Sequence, residues 1–325
     1  MSKKLVFVTD KSFPSYDDFI SSIQGAGHEI VFASAKDEDT LIREGANADI
    51  VVNSFAMVTA KFVNSLTKCK MILRTGIGVN TIDVDAATAK KIKVCYVPDY
   101  CRDEVADHTI SLTLAATRKI TFLERRLKEG KWNAVEAGYV PRLTCSTFGL
   151  MGFGGIAQRV AKRALAFGMK VIAYDPYVPD EVFSAAGVTR AAAYDDIFAN
   201  SDIISLNLPE TKETKHIINA QNIAKMKDGV FIVNTARGPL IKEDDLIAAL
   251  KSGKVCAAGL DVFENEPLAE NSELRKLENV VITPHAAFYS SVAMPELRAK
   301  SLDEVMRELE DKPSRVVFNK SALGL

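Results

Sequence analysis

The chain reads as an α/β protein made of two doubly wound parallel-sheet domains. Three observations predict this. Short apolar, β-rich runs alternate with helical patterns from one end to the other, the pattern of parallel strands joined by crossover helices. The 325 residues exceed one ordinary core and suit two. A glycine-rich turn lies mid-chain between a strand-like run and a helical pattern.

The elements follow in order. In the first third the strand-like runs are Leu5–Val8, Glu29–Phe32, Asp49–Val52, Met71–Leu73 and Val94–Val97. A boundary is expected near Pro98-Asp99-Tyr100, so residues 1–100 begin one domain. A long helical pattern then runs from about Glu104 through Arg126, followed by Gly130 and Trp132, and Trp132 is expected to anchor a core. Polar Glu136–Thr144 reads as a loop leading into the second set of runs: Phe148–Met151, Val171–Tyr174, Asp202–Leu206, Val230–Val233, Val255–Leu260 and Val280–Thr283. Residues 101–289 are therefore assigned to the second domain. The remainder, 290–325, holds a helical stretch at Pro295–Asp311 and then Arg315–Asn319, and is expected to fold back onto the first domain. Two chain crossings would make a hinge with a cleft between the domains.

Composition excludes several classes of function. A net charge of −1 gives no general attraction to nucleic acid or an acidic membrane. No run approaches the roughly 18 apolar residues of a membrane span, and Leu5–Val8 is too short for a signal peptide. The five cysteines, Cys69, Cys95, Cys101, Cys145 and Cys256, are scattered and form no CxxC pair. They point to a reducing cytoplasm, with neither a disulfide framework nor a metal site.

The turn Gly152-Phe153-Gly154-Gly155-Ile156-Ala157 follows the apolar run Phe148–Met151 and opens a helical pattern. Gly152 permits the tight turn, Gly154 lets backbone approach a pyrophosphate, and Ala157 keeps helix close to strand. A helix N-terminus there offers free N–H groups and a positive dipole end. The next strand-like run ends on Asp175, 18 residues after Ala157. The expected offset of a ribose-binding acid is about 20 residues. Pro176 and Tyr177, not a basic residue, follow it, so the unit reads as a Rossmann site for NAD rather than NADP.

Three later segments place polar residues at the carboxyl ends of strand-like runs: Asn234–Leu240 with Arg237, Asp261–Pro267, and Thr283-Pro284-His285. In an open parallel sheet that edge binds ligands. Together they supply what hydride transfer to a 2-oxo acid requires. His285 can protonate the carbonyl oxygen and act as base in reverse. The planar Arg237 guanidinium can grip a carboxylate. Glu266 is the candidate carboxylate that orients the imidazole, with Glu264 the second choice. His28 and His216 show no partner, and His108 reads as a packed or interface residue.

These segments resemble the NAD-dependent D-isomer-specific 2-hydroxyacid dehydrogenase family, in its phosphoglycerate dehydrogenase and C-terminal-binding-protein-like branch. The resemblance also rests on Arg74–Asn80 with Ile82-Asp83, on Asp99–His108, and on Asn207-Leu208-Pro209 with Glu213-Thr214. It implies a Rossmann cofactor domain inserted in a flavodoxin-like substrate domain. It implies a cytoplasmic homodimer joined through the cofactor domain. It makes Arg237, Glu266 and His285 the catalytic three. NAD would be held by Gly152, Phe153, Gly154, Gly155, Ile156, Asp175, Leu208, Pro209, Thr214, Thr235, Ala236 and Val105, with Asp261 at the nicotinamide carboxamide. Substrate contacts would come from Arg74, Gly76, Ile77, Ser54, Phe55 and Cys101.

The chain also departs from that family. Gly155 stands where a basic or polar residue is usual, which removes one side-chain contact to the pyrophosphate. Asn53–Met57 lacks an arginine that binds phosphate in some relatives, which weighs against 3-phosphoglycerate, although Arg74 and Arg102 are candidate substitutes. The end at Leu325 leads us to expect no serine-feedback domain. Glyoxylate, hydroxypyruvate and 3-phosphoglycerate remain candidate substrates. The alternatives are an NAD-sensing scaffold and a dehydrogenase of a small anion such as phosphite.

Overall fold

The computed structural model describes residues 2–325 and divides them into two compact units, each with one all-parallel sheet. The first unit takes the described residues through Tyr100 and adds Ser290–Leu325. Its strands are β1 (Leu5–Val8), β2 (Glu29–Phe32), β3 (Ile50–Asn53), β4 (Met71–Arg74) and β5 (Lys93–Tyr96), in the order β2-β1-β3-β4-β5. Every residue of β3 is buried, as expected of a central strand covered on both faces. Asp37, Thr59 and Asp83 cap the helices behind these strands with side-chain oxygens.

The C-terminal segment is part of this unit because its polar groups complete it. Helix Ala293–Leu309 packs against β4. The Phe318 N–H donates to the Val94 carbonyl at 2.7 Å. Asn319 accepts from the Val94 N–H at 3.0 Å and donates to the Ile92 carbonyl at 3.0 Å and the Thr88 hydroxyl at 2.9 Å.

The second unit spans Cys101–Tyr289. Its strands are β6 (Thr147–Met151), β7 (Lys170–Tyr174), β8 (Thr189–Arg190), β9 (Ile203–Leu206), β10 (Val230–Asn234), β11 (Val255–Leu260) and β12 (Val280–Ile282). They run in the order β12-β11-β10-β9-β6-β7-β8. The chain steps outward from β6 to β8, then returns to β9 on the other side. The switch between β6 and β9 opens a crevice at the carboxyl ends of those strands, the place where doubly wound sheets bind ligands. Ile203 and Ile204 feed opposite hydrophobic clusters, as do Phe231 and Ile232, so both faces of the sheet are covered.

Two expectations are corrected here. The single helix expected from Glu104 to Arg126 is two, Arg102–Thr117 and Ile120–Lys128, broken at Lys119 with φ 56°. The hydroxyls of Thr109, Thr113 and Thr117 each donate to the carbonyl four residues back, a pattern that bends helices. The second helix buries no residue, so no core contact holds it in line with the first. The break sets the Lys119 ammonium 5.6 Å from the centre of the Phe231 ring. Trp132 is no core anchor. It is 90% exposed, beside exposed Val135 and Tyr139, because the chain after Gly130 stays at the surface. The two-residue β8 was not foreseen; it is too short to carry a pattern.

Asn319→Ala leaves three backbone or hydroxyl groups of the first unit without their partner. We expect a loss of about 2–3 kcal/mol, read as a lower midpoint in urea unfolding.

Candidate active site

The carboxyl ends of β10, β11 and β12 lie side by side, and their backbone ladder continues past the strands. The Asp261 N–H donates to the Asn234 carbonyl at 2.9 Å, the Thr283 N–H to Leu260 at 3.0 Å and the His285 N–H to Asp261 at 2.8 Å. This brings Arg237, the 261–266 segment and His285 to one sheet edge. Asn234 curls the first turn, accepting from the Ala236 N–H at 3.0 Å and donating to the Arg237 carbonyl at 2.8 Å. Gly238 must be glycine here: a β-carbon would lie 1.7 Å from the Phe263 carbonyl oxygen. The loop after Arg237 is thus pressed directly onto the segment leading to Glu266.

Nδ1 of His285 lies 2.8 Å from Oε2 of Glu266, whose Oε1 accepts the Phe263 N–H at 3.0 Å. Burial pushes the Glu266 carboxyl up. Its hydrogen bonds from His285 and Phe263, with the charges of His285 and Arg237, outweigh burial and leave it below its ordinary value. Glu266 is therefore an ionised acceptor, and Nδ1 of His285 carries the proton that points at it. Nε2 is left to face other chemistry.

His285 sits at φ 52°, an uncommon conformation for a side chain with a β-carbon. Asp261 holds it there. The Asp261 carboxylate is buried and accepts the Thr283 hydroxyl at 2.6 Å, the Ala286 N–H at 2.8 Å and the Ala287 N–H at 2.9 Å. His108 Nε2 lies 3.4 Å from the carboxylate and 2.9 Å from the Thr283 hydroxyl. Burial pushes the Asp261 carboxyl up, and these bonds more than offset it, so it ionises below its ordinary 3.8. Asp261, the residue expected at the nicotinamide carboxamide, accepts these protein donors and clamps the His285 turn.

A second imidazole–carboxylate pair lies nearby. His216 Nε2 is 2.6 Å from Glu264 Oε1. Glu264 and Glu243 each donate a backbone N–H to the other's carboxylate, and burial, aided by the Glu264 charge, pushes the Glu243 carboxyl up. The His216 N–H donates to the Pro239 carbonyl at 2.8 Å. His216 thus ties the Arg237 loop to the Glu266 segment. Sequence reading left it without a partner, because 48 residues separate it from Glu264. His28, also unassigned, accepts the Lys4 N–H at 3.2 Å.

The glycine turn lies at the carboxyl ends of β6 and β9, where the crevice opens. Gly152 has φ 90°, and a β-carbon there would meet the Asn207 carbonyl oxygen at 2.5 Å and Leu208 at 3.2 Å. Phe153 is buried and stacks on Phe183 with ring centres 4.4 Å apart. A β-carbon on Gly154 would meet no atom within 4 Å, so the turn is open to a ligand's close approach. Helix Gly155–Ala166 begins there, with Ile156 half-buried against the core. Asp175 accepts the Phe153 and Tyr177 N–H groups, each at 2.9 Å. A glycine with open space at 154, a helix N-terminus and a carboxylate at the next strand end fit a dinucleotide with a free ribose diol. Arg190 reaches the Asp175 carbonyl at 3.2 Å and pairs with Asp180, a neighbour that sequence reading did not foresee.

The other cofactor candidates lie around this edge. The Thr214 hydroxyl donates to the Pro209 carbonyl at 2.7 Å. Thr235 and Thr109 share a hydroxyl bond of 2.7 Å, and Val105, one turn before Thr109, is buried. Ala236 sits in the turn formed by Asn234.

The substrate candidates other than Cys101 belong to the first unit. Arg74 lies across Gly76, where a β-carbon would meet its Nη1 at 2.7 Å, and 5.8 Å from the centre of the exposed Phe55 ring. Ile77 follows, half-buried. Ser54 is buried, its hydroxyl 2.6 Å from those of Ser12 and Thr75. Asp10 accepts the N–H groups of Ser54, Phe55 and Ala56 and so fixes this loop. Cys101 is buried at the start of helix Arg102–Thr117.

Residues 110–287 match the family described as D-isomer specific 2-hydroxyacid dehydrogenase, NAD binding domain. The chain is 44% identical over 276 residues to a hydroxypyruvate reductase of Thermotoga maritima, covering 84% of this chain and 89% of that protein. It is 39% identical over 315 residues to a D-3-phosphoglycerate dehydrogenase of Methanocaldococcus jannaschii, covering 97% of this chain but 59% of that longer protein. In structure it resembles a D-lactate dehydrogenase from Aquifex aeolicus complexed with NAD and lactic acid. The TM-score is 0.85 at 29% identity, over 95% of this chain and 96% of that one.

Asp261→Asn puts an amide N–H where a donor now points. We expect a loss of about 3 kcal/mol at neutral pH. Because folding lowers the Asp261 value, its contribution is complete above the ordinary 3.8 and lost as pH falls through the folded value. The gap between wild type and variant in thermal unfolding should therefore close in acid.

Proposed function

The chain belongs to the D-isomer-specific 2-hydroxyacid dehydrogenase family, and from that membership we propose that it interconverts a small 2-oxo acid and its D-2-hydroxy acid with NAD. The observation that carries this reading is the His285–Glu266 pair at 2.8 Å, at the same sheet edge as Arg237 and in the same unit as the dinucleotide turn.

NAD, when bound, supplies the hydride acceptor or, once reduced, the donor. The chain's own residues do the rest. Arg237 grips the substrate carboxylate and draws electron density from the carbonyl. His285, with Nδ1 committed to Glu266, uses Nε2 to give a proton to the carbonyl oxygen in reduction and to take it from the hydroxyl in oxidation. Glu266 stays ionised and fixes the ring's aim and tautomer. Arg74, Gly76 and Ile77, all in the first unit, would contribute further contacts to the substrate. Asp175 takes the adenosine ribose hydroxyls and disfavours a 2′-phosphate. The arginine-free loop Asn53–Met57 with exposed Phe55 and Met57 favours an unphosphorylated two- or three-carbon 2-oxo acid, glyoxylate or hydroxypyruvate.

The protein works as a homodimer in the reducing cytoplasm, with five free cysteines in keeping with that compartment. Ile120, Leu127, Trp132, Val135 and Tyr139 are all exposed within residues 120–139, apolar surface of the kind a second copy covers. Sedimentation should give twice the chain mass, and Trp132→Asp with Val135→Asp should shift it toward monomer.

The test of activity is NADH oxidation against glyoxylate, hydroxypyruvate, phosphohydroxypyruvate, pyruvate and branched 2-oxo acids, with NAD reduction by phosphite alongside. We expect turnover of a short 2-oxo acid. His285→Ala should lower kcat by at least about 100-fold with NADH affinity nearly unchanged. NADH binding without turnover of any acid would overturn the reading in favour of a scaffold, and turnover of phosphite alone in favour of an anion dehydrogenase.

A further inference from the structure

A dinucleotide pyrophosphate brings negative charge to the glycine turn, and backbone N–H groups meet it with partial charges alone. Gly155 contributes no side chain to this task, although it opens the helix that faces the phosphates. Arg102 lies in the space that a side chain at 155 would enter. A β-carbon on Gly155 would meet Arg102 Nε at 3.4 Å and its Cδ and Cζ at 3.5 Å.

The position of Arg102 is fixed from outside. It opens helix Arg102–Thr117, whose first two turns are tied to helix Gly155–Ala166 by ion pairs. Asp103 pairs with Arg159 at 3.1 Å and Arg163 at 3.1 Å, and Asp107 pairs with Arg163 at 2.6 Å. Arg159 also donates to the Gly155 carbonyl at 2.9 Å. Two acids thus answer two arginines and pin the start of helix Arg102–Thr117 to the phosphate-facing helix, and Arg102 is half-buried beside that helix's first turn.

We propose that Arg102 is the side-chain ligand of the pyrophosphate, taking the place of a side chain that Gly155 does not supply. The cation comes from the neighbouring helix rather than from the turn itself. A guanidinium suits the role because its planar fork meets two phosphate oxygens at once. The inference rests on the NAD reading above and adds a residue to it.

The test is direct titration of the purified protein with NADH and, separately, with ADP-ribose, which carries the pyrophosphate but no nicotinamide. Arg102→Ala should weaken both by about tenfold or more and flatten the salt dependence of binding. Its ligand-free unfolding midpoint should stay close to wild type. Arg102→Lys should fall between, and Arg102→Ala combined with Gly155→Arg should regain much of the loss. Equal affinity of wild type and Arg102→Ala for both ligands would overturn the proposal. So would a variant whose defect is confined to the KM of phosphohydroxypyruvate, which would assign Arg102 to substrate phosphate. A wild type that binds no NADH would instead sink the NAD reading on which the proposal stands.

Discussion

An ionised carboxylate enclosed by protein is tolerable only when donors surround it, and Asp261 meets that condition by collecting the ends of its neighbours. The Thr283 hydroxyl and the Ala286 and Ala287 N–H groups all turn inward to it, with His108 behind Thr283. Its own backbone continues the ladder, donating to Asn234 and accepting from His285. One buried residue therefore joins β10, β11 and the turn after β12, through its backbone and its carboxylate. His285 holds its left-handed backbone because the residues on either side of it are fastened to Asp261. Without that fastening, the cost of the conformation would favour relaxing the turn and swinging the imidazole away from Glu266.

Two carboxylates two residues apart then take different partners. Glu266 faces His285, and Glu264 faces His216. Both belong to the segment on which Gly238 rests without a side chain, so the loop of Arg237 and the segment of Glu266 are in backbone contact. The His216–Glu264 pair closes the same junction from the far side, through Pro239. In the proposed mechanism one imidazole moves a proton, while the other ties the Arg237 loop to the segment of Glu266.

What could be read from the sequence was what short-range patterns encode. Strand positions were legible because β-branched runs recur at fixed intervals. The glycine turn, Asp175 and the three polar strand ends were legible because each lies next to the run that presents it. What escaped depends on distance. Trp132 looked like core because large aromatic residues usually are, yet nothing local records that the chain after Gly130 remains outside. The break at Lys119 depends on which half of the helical pattern finds a core to pack on. His216 and Glu264, like His108 and Thr283, meet only when distant segments fold together. The closeness of Arg102 to Gly155 has the same origin, since a glycine's empty space is visible in sequence only as an absence.

The exposure of these groups follows their function. Asp261 is closed off, while the side chains of His285 and Glu266 remain 45% and 36% exposed. A charge that fixes geometry gains from enclosure by donors. A pair that exchanges a proton with a substrate, as proposed for His285 and Glu266, has to stay open until the substrate arrives. When a ligand covers it, water leaves and the attraction between imidazole and carboxylate strengthens as the local dielectric falls. The pair is then most tightly coupled while the proton is being moved. The frame behind it, already dry, does not have to rearrange.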